Sequence, residues 1–167
     1  VIGASNFTGE RLKAALKVSN GSGLPAYEVL QPEYNLYDRE SYETDLEPVA
    51  QAYKLTVVTY FSLASGFLSG KYRSNADMAK GARSSLVEKY LNDRGLQIVD
   101  TLIEVARRND TTPATVALAW IIARPSVTAP IASATSVEQL ESLAAATRLQ
   151  LSSEDLKLLN EASAPAK

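Results

Sequence analysis

A chain of 167 residues with 46% hydrophobic side chains has material for one packed core. Its 17 Lys and Arg against 19 Asp and Glu leave a net charge of -2, without the basic face that nucleic acid or an anionic membrane would require. Cysteine and histidine are both absent, which removes disulfides, thiol nucleophiles, His-based acid-base chemistry and His- or Cys-ligated metal sites. No apolar run approaches the ~20 residues of a membrane span, and the start lacks the basic-then-apolar pattern of a leader, so the expectation is a soluble, cytoplasmic protein.

The first residues, VIGASNF, read as a strand: Val1, Ile2 and Ala4 form a short apolar run whose tip carries the polar pair Ser5 and Asn6. A helix is predicted from Thr8 to about Ser19, with Leu12, Ala15 and Leu16 on one face, broken by Asn20-Gly21-Ser22-Gly23. Residues 27–31 form a second apolar run, ended by Pro32 because proline cannot donate to a sheet ladder. Ser41 is the predicted N-cap of a second helix, in which Leu46, Val49, Ala50 and Tyr53 recur at i, i+3, i+4, i+7. Residues 55–60, LTVVTY, are β-branched and almost wholly apolar, the pattern of a parallel strand covered on both faces.

From 62 to about 91 the chain turns polar and irregular, with Gly66, Gly70 and Gly81 among scattered charges, and reads as one long functional or mobile loop. Ile98, Leu102, Val105 and Ala106 mark a third helix, and Thr112-Pro113 starts a fourth whose 114–122 stretch is apolar enough to be buried. A fourth strand is predicted over 127–132. Ser136 and Gln139 form a capping box, with Leu140, Leu143 and Ala144 predicted to face inward behind it. A last helix runs over about 152–162. Lys71 and Arg73 read as solvated charges, Glu33, Asp38 and Arg39 as a local ion pair or loop scaffold, and Trp120 as packing on its apolar helix.

The order β-α-β-α-β-α-α-β-α-α implies parallel strands joined by right-handed crossovers. Spacings near ~30 residues between the first strands match the unit of an eightfold βα barrel, of which four strands are half. No G-x-G-x-x-G follows a strand, which argues against a doubly wound dinucleotide fold.

The residues after the strands are Gly3-Ala4-Ser5-Asn6, then Gln31-Pro32-Glu33-Tyr34-Asn35, then the run from Tyr60 through Leu63, Gly66, Leu68 and Gly70 to Lys71-Tyr72. In this order and spacing the series resembles the C-terminal half of the aldo-keto reductase superfamily, in its bacterial and β-subunit-like branches, over essentially all 167 residues. The resemblance implies an α/β fold, the (β/α)8 TIM barrel, with residues 1–167 as its strands five to eight. It also implies hydride transfer from NADPH to a small aldehyde or ketone. Ser5, Asn6 and Gln31 then correspond to the group that hydrogen-bonds the nicotinamide carboxamide, whose acceptor and two donors suit amides and a hydroxyl. Tyr60 corresponds to the platform under the nicotinamide ring, with Phe61 beside it as part of one substrate wall. Leu63, Ser65, Gly66 and Lys71 would follow the pyrophosphate.

Ser133, Thr135 and Ser136, at a helix N-terminus, would meet the adenosine 2′-phosphate, with Gln139 reaching adenine or phosphate. The sequence departs from the family here: no Lys or Arg stands in that loop, and Gln139 occupies a place where many relatives carry Arg, which leaves NADH open beside NADPH. The family's catalytic aspartate, tyrosine, lysine and histidine belong to strands one to four, so no catalytic residue is assigned in this chain. VIGASNF therefore reads as the middle of a longer protein. Three readings follow: part of an NADPH-dependent carbonyl reductase, a non-catalytic, redox-sensing nucleotide-binding subunit, or a structural half-barrel. Two open sheet edges predict self-association if this chain exists alone.

Overall fold

The computed structural model describes residues 1–74, 77 and 84–165. Four short strands, β1 (Gly3–Ser5), β2 (Val29–Gln31), β3 (Thr56–Thr59) and β4 (Ala129–Pro130), form one parallel sheet in the order β1-β2-β3-β4. Ser5 is in register with Gln31, Leu30 with Val57, and Thr59 with Pro130. Each strand is laid beside its predecessor in chain order, with no reversal. That single winding belongs to part of a (β/α)8 barrel, whereas a doubly wound sheet reverses direction at its switch point.

The helices cover the sheet where cap chemistry starts them. α1 (Gly9–Ser22) begins at Thr8, whose hydroxyl accepts from Arg11 N at 3.2 Å. It runs three residues past its predicted end, through Asn20 and Gly21. Only Gly23 stops it, because the left-handed turn (φ 64) is needed there to return its N–H to Ser19 O.

Ser41 is not a cap: it has helical φ/ψ (-56, -42) and no side-chain cap bond. The chain is already turning at Arg39, whose carbonyl accepts Glu43 N, and it passes through a π-helical turn (Tyr42–Leu46) into α2 (Glu47–Tyr53). Tyr42 and Leu46, both buried, hold that wide turn against the core.

The predicted loop after β3 is largely packed structure. A 3-10 segment (Ala64–Ser69), α3 (Ser84–Val87) and a second 3-10 turn (Glu88–Tyr90) bury Phe67, Leu68, Tyr72, Val87 and Tyr90, and the Phe67 and Tyr90 rings stack at 5.5 Å. Gly81 and the rest of 78–83, with 75 and 76, lie outside the described residues.

α4 (Asp93–Arg108), α5 (Pro113–Ile122), α6 (Val137–Ala145) and α7 (Ser153–Ala162) start at Asn92, Thr112, Ser136 and Ser152, and each of these side chains caps a backbone N–H. α6 buries no residue: Leu140 is 58% and Val137 72% exposed, Ala144 is exposed, and only Leu143 reaches the small cluster of Leu118, Ala119 and Ala146. The predicted inward stripe is therefore wrong for Leu140 and Ala144, because no element among the described residues lies over that face. Among the described residues no helix is long and apolar enough to cross a membrane.

The sheet and helices are pinned around Trp120, fully buried as expected, whose Nε1 donates to Asn160 Oδ1 at 3.0 Å. The Arg39 guanidinium lies 5.2 Å from its ring and grips Glu43 with two bonds, 2.9 and 3.2 Å. Arg39 Nη1 reaches Asn160 O and Ser163 Oγ, and Tyr34 donates its hydroxyl to Glu43 at 2.6 Å. Burying such a pair is tolerable because the remaining donors and lone pairs are occupied. Arg39 thus pairs with Glu43, not with Glu33 or Asp38.

Candidate functional site

Parallel strands deliver their C-terminal ends to one edge, and that edge is where the chain gathers polar groups. The Ser5 hydroxyl donates to Gln31 O at 2.9 Å, joining the tips of β1 and β2. The Tyr60 hydroxyl, just past β3, donates to Asn6 Oδ1 at 3.0 Å. Tyr60 also bridges Glu33 in parallel: its N–H donates to Pro32 O (2.9 Å) and its carbonyl accepts Tyr34 N (3.3 Å). Burial, then the negative charge of Glu33, raises the Tyr60 pKa, so the phenol remains a donor at neutral pH.

A cavity of about 610 Å³ opens at this edge, lined by Asn6, Gln31, Glu33, Asp38 and Tyr60 among others. Among the described residues, Asn6 Nδ2 and the Gln31 side-chain amide have no hydrogen-bond partner. Two free amides beside one aromatic face can recognise a planar group that both donates and accepts.

The backbone around the cavity is strained. Asn6 (φ 57), Phe61 (φ 51), Ala64 (φ 49) and Ser65 (φ 57) are left-handed non-glycine residues, each costing on the order of 1 kcal/mol, and they cluster at the tips of β1 and β3. Phe61 is exposed and stands edge-on to Tyr60 at 5.3 Å. Gly66 follows at φ 94, and a side chain there would meet the Lys71 ammonium at 3.5 Å. The missing side chain therefore leaves a bare backbone beside a cation, a fit for phosphate oxygens. Leu63 instead packs its side chain on the core and Ser65 is buried, so in this segment Gly66 and the exposed Lys71 present the open surface. Arg73, read as a free surface charge, pairs with Asp100 at 2.6 Å.

β4 is tied to β3 through Ile131 N and Thr59 O (2.8 Å), which sets the following loop beside the tip of β3. Ser133, Thr135, Ser136 and Gln139 are exposed there, and the side-chain hydrogen bonds of the last three run within the loop. Ser136 Oγ accepts Gln139 N at 3.2 Å, the first half of the expected capping box, while the return bond falls one residue early: Gln139 Oε1 accepts both the N–H and the hydroxyl of Thr135. No hydrogen bond among the described residues joins this group to Asn6, Gln31 or Tyr60.

A second set of polar residues escaped sequence reasoning. Asn35, fully buried, accepts from Tyr37 N (2.8 Å) and Asp38 N (2.9 Å) and donates to Phe61 O (3.1 Å). Its Asn-x-x-Asp setting after Pro32 is a turn signal that could have marked it. Lys89 reaches Glu33 and Asp38, and the Tyr90 hydroxyl donates to Asp38 at 2.8 Å. Burial pulls the Lys89 ammonium down, but Tyr90, Asp38 and Glu33 outweigh it and leave its pKa raised. Local sequence signals nothing about contacts across more than fifty residues.

The fold and this edge define part of an α/β barrel whose site lies at the C-terminal ends of its strands. Residues 1–164 match the Aldo/keto reductase family, and the chain belongs to that family. It is 34% identical over 161 residues to the uncharacterized oxidoreductase YrpG of Bacillus subtilis, covering 96% of this chain and 48% of that one. It is 32% identical over 143 residues to a probable voltage-gated potassium channel subunit beta of Oryza sativa (83% and 44% covered). To the Schizosaccharomyces pombe aldo-keto reductase yakc, whose name carries NADP(+), it is 28% identical over 138 residues (80% and 41% covered). The chain spans about half the length of the curated relatives it matches.

Proposed function

We propose that this chain is the cofactor-binding half of an NADPH-dependent oxidoreductase that reduces small aldehydes or ketones to alcohols in the cytoplasm. The observation that carries the reading is the meeting of Asn6 and Tyr60, with Ser5 and Gln31 bonded alongside, at adjoining strand tips. The nucleotide, when bound, supplies the hydride. The chain's own residues hold and orient it. Asn6 offers its open Nδ2 and Gln31 its whole amide to the carboxamide, Tyr60 offers its ring face, and Gly66 with Lys71 offers backbone and positive charge to the pyrophosphate. The Ser133–Gln139 loop is assigned to the adenosine end. No residue of this chain is proposed as the proton donor, which the family draws from the other half of the barrel.

A second reading, a nucleotide-binding subunit without catalysis, is favoured by the similarity to a potassium channel subunit beta. Titration of the chain with NADPH, followed by nicotinamide fluorescence, tests what the two share. Saturable enhancement is expected, lost in Tyr60→Ala and weakened about tenfold in Asn6→Ala. A flat titration would defeat both readings. Aldehyde-dependent NADPH oxidation by the full-length protein supports the enzyme, and binding without turnover supports the subunit.

A further inference from the structure

Tyr60 can serve as a platform only if its ring is held in one attitude; its own N–H and carbonyl are tied to Pro32 and Tyr34, and its ring is flanked by Phe61, which opens the turn that follows. The next residue, Phe61, sits at φ 51, a conformation that a bulky L-residue adopts only when its surroundings force it. The forcing contacts converge on one atom. Phe61 O accepts Ala64 N at 2.7 Å, closing the turn, and its other lone pair accepts Asn35 Nδ2 at 3.1 Å. Asn35 is itself immobilised, with no exposed surface and with Oδ1 taken by two backbone N–H groups of its own loop. Ser62 donates to Thr59 O at 3.0 Å, which fixes the near end of the turn but not the Phe61 peptide plane.

We propose that Asn35 is a positioning residue: its amide N–H, by holding the Phe61 carbonyl, fixes the Phe61–Ser62 peptide and with it the Phe61 ring that stands edge-on to Tyr60, and so sets the attitude of the Tyr60 ring. The proposal rests on the cofactor reading above for its purpose, but the mechanical claim stands on the geometry alone. Asn35 touches no ligand in this scheme: its Nδ2 reaches the Phe61 carbonyl of another strand tip, 26 residues away, and Asp38 Oδ2 at 3.3 Å in its own loop. The side chain must donate on one side and accept twice on the other. An amide does this from its two ends; an ionised carboxylate has no donor, and a hydroxyl has only one atom from which to reach both sides.

Two variants test it in the full chain. Asn35→Asp keeps acceptors for Tyr37 N–H and Asp38 N–H but turns a carboxylate toward Phe61 O. Asn35→Ser keeps one short acceptor and loses the reach. Thermal melts establish that at least one remains folded. The first readout is amide hydrogen exchange at Tyr60 and Ala64, expected to accelerate roughly tenfold while Leu102 in α4 is unchanged. The second is affinity for NADPH against 2′,5′-ADP, which lacks the nicotinamide: the first should weaken about tenfold and the second stay within about twofold. Unchanged exchange at Tyr60 and Ala64 overturns the proposal, as does an equal loss of both ligands. If wild-type protein takes up no NADPH while the exchange effect is present, the cofactor reading falls and the positioning role survives.

Discussion

Glu33 and Asp38 share one cation: Lys89 Nζ lies 3.3 Å from Oε1 of the first and 3.3 Å from Oδ2 of the second. Burial, then the charge of Asp38, raises the Glu33 pKa above its ordinary 4.5, and Lys89 offsets only part of this. A carboxyl whose folded pKa lies above its unfolded value binds more protons folded than unfolded. Its ionisation therefore costs stability as pH rises from 4.5 through the raised value. Glu33→Gln should gain on wild type across that window, with the Tm difference shifting by a few degrees in the variant's favour as pH increases. Circular-dichroism melts at a series of pH values check it, and a difference that stays constant with pH would contradict it.

Gly95 opens α4 beneath the Tyr90 carbonyl. A Cβ there would collide with that oxygen and stand 3.2 Å from the Phe67 ring. Gly95→Ala should cost about 3 kcal/mol or more, because backbone, not a flexible side-chain end, has to move. Urea denaturation measures it; a loss under roughly 1 kcal/mol would mean the Tyr90 turn relaxes freely.

The loop at the start of α6 offers hydroxyls and one amide but no cation between Arg124 and Arg148, and Glu138 adds a negative charge in the first helical turn. Gln139→Arg should tighten NADPH about tenfold and leave NADH nearly unchanged, since one charge-assisted contact to a 2′-phosphate is worth roughly 1.5–3 kcal/mol. Parallel fluorescence titrations decide it. Equal effects on both nucleotides would remove this loop from the 2′-phosphate site.

Among the described residues no strand lies beside the outer edges of β1 and β4, and Ile131, Val137 and Leu140 are exposed at the β4 side. The isolated chain should self-associate, and the pair Val137→Lys and Leu140→Lys should shift it toward monomer. Sedimentation velocity reads the outcome; a wild-type chain that is monomeric at all concentrations would refute the expectation.

What could be read from the sequence was local chemistry. Thr8, Thr112, Ser136 and Ser152 start helices because a hydroxyl next to an apolar run has one good use, satisfying the first free N–H groups. That Ser5, Gln31 and Tyr60 share one end of the sheet was legible because parallel crossovers bring every strand tip to one end, which makes residues as distant as Asn6 and Tyr60 neighbours; their assignment to a nucleotide came from the resemblance alone. Ser41 failed because the helical turn began before it, and the core beneath 62–91 stayed hidden because 3-10 turns and left-handed residues destroy the period that marks a buried face. Lys89 depends on pairings across the fold that no spacing announces, and the turn signal at Asn35 says nothing of its bond to Phe61 O.

Arg39 makes its last two bonds to residues 121 and 124 positions later, Asn160 and Ser163. During synthesis on the ribosome, that guanidinium therefore stays hydrated and without these two partners until Ser163 has emerged. α7 is the keystone of assembly, and a nascent chain stalled before Asn160 would hold its centre open to chaperones.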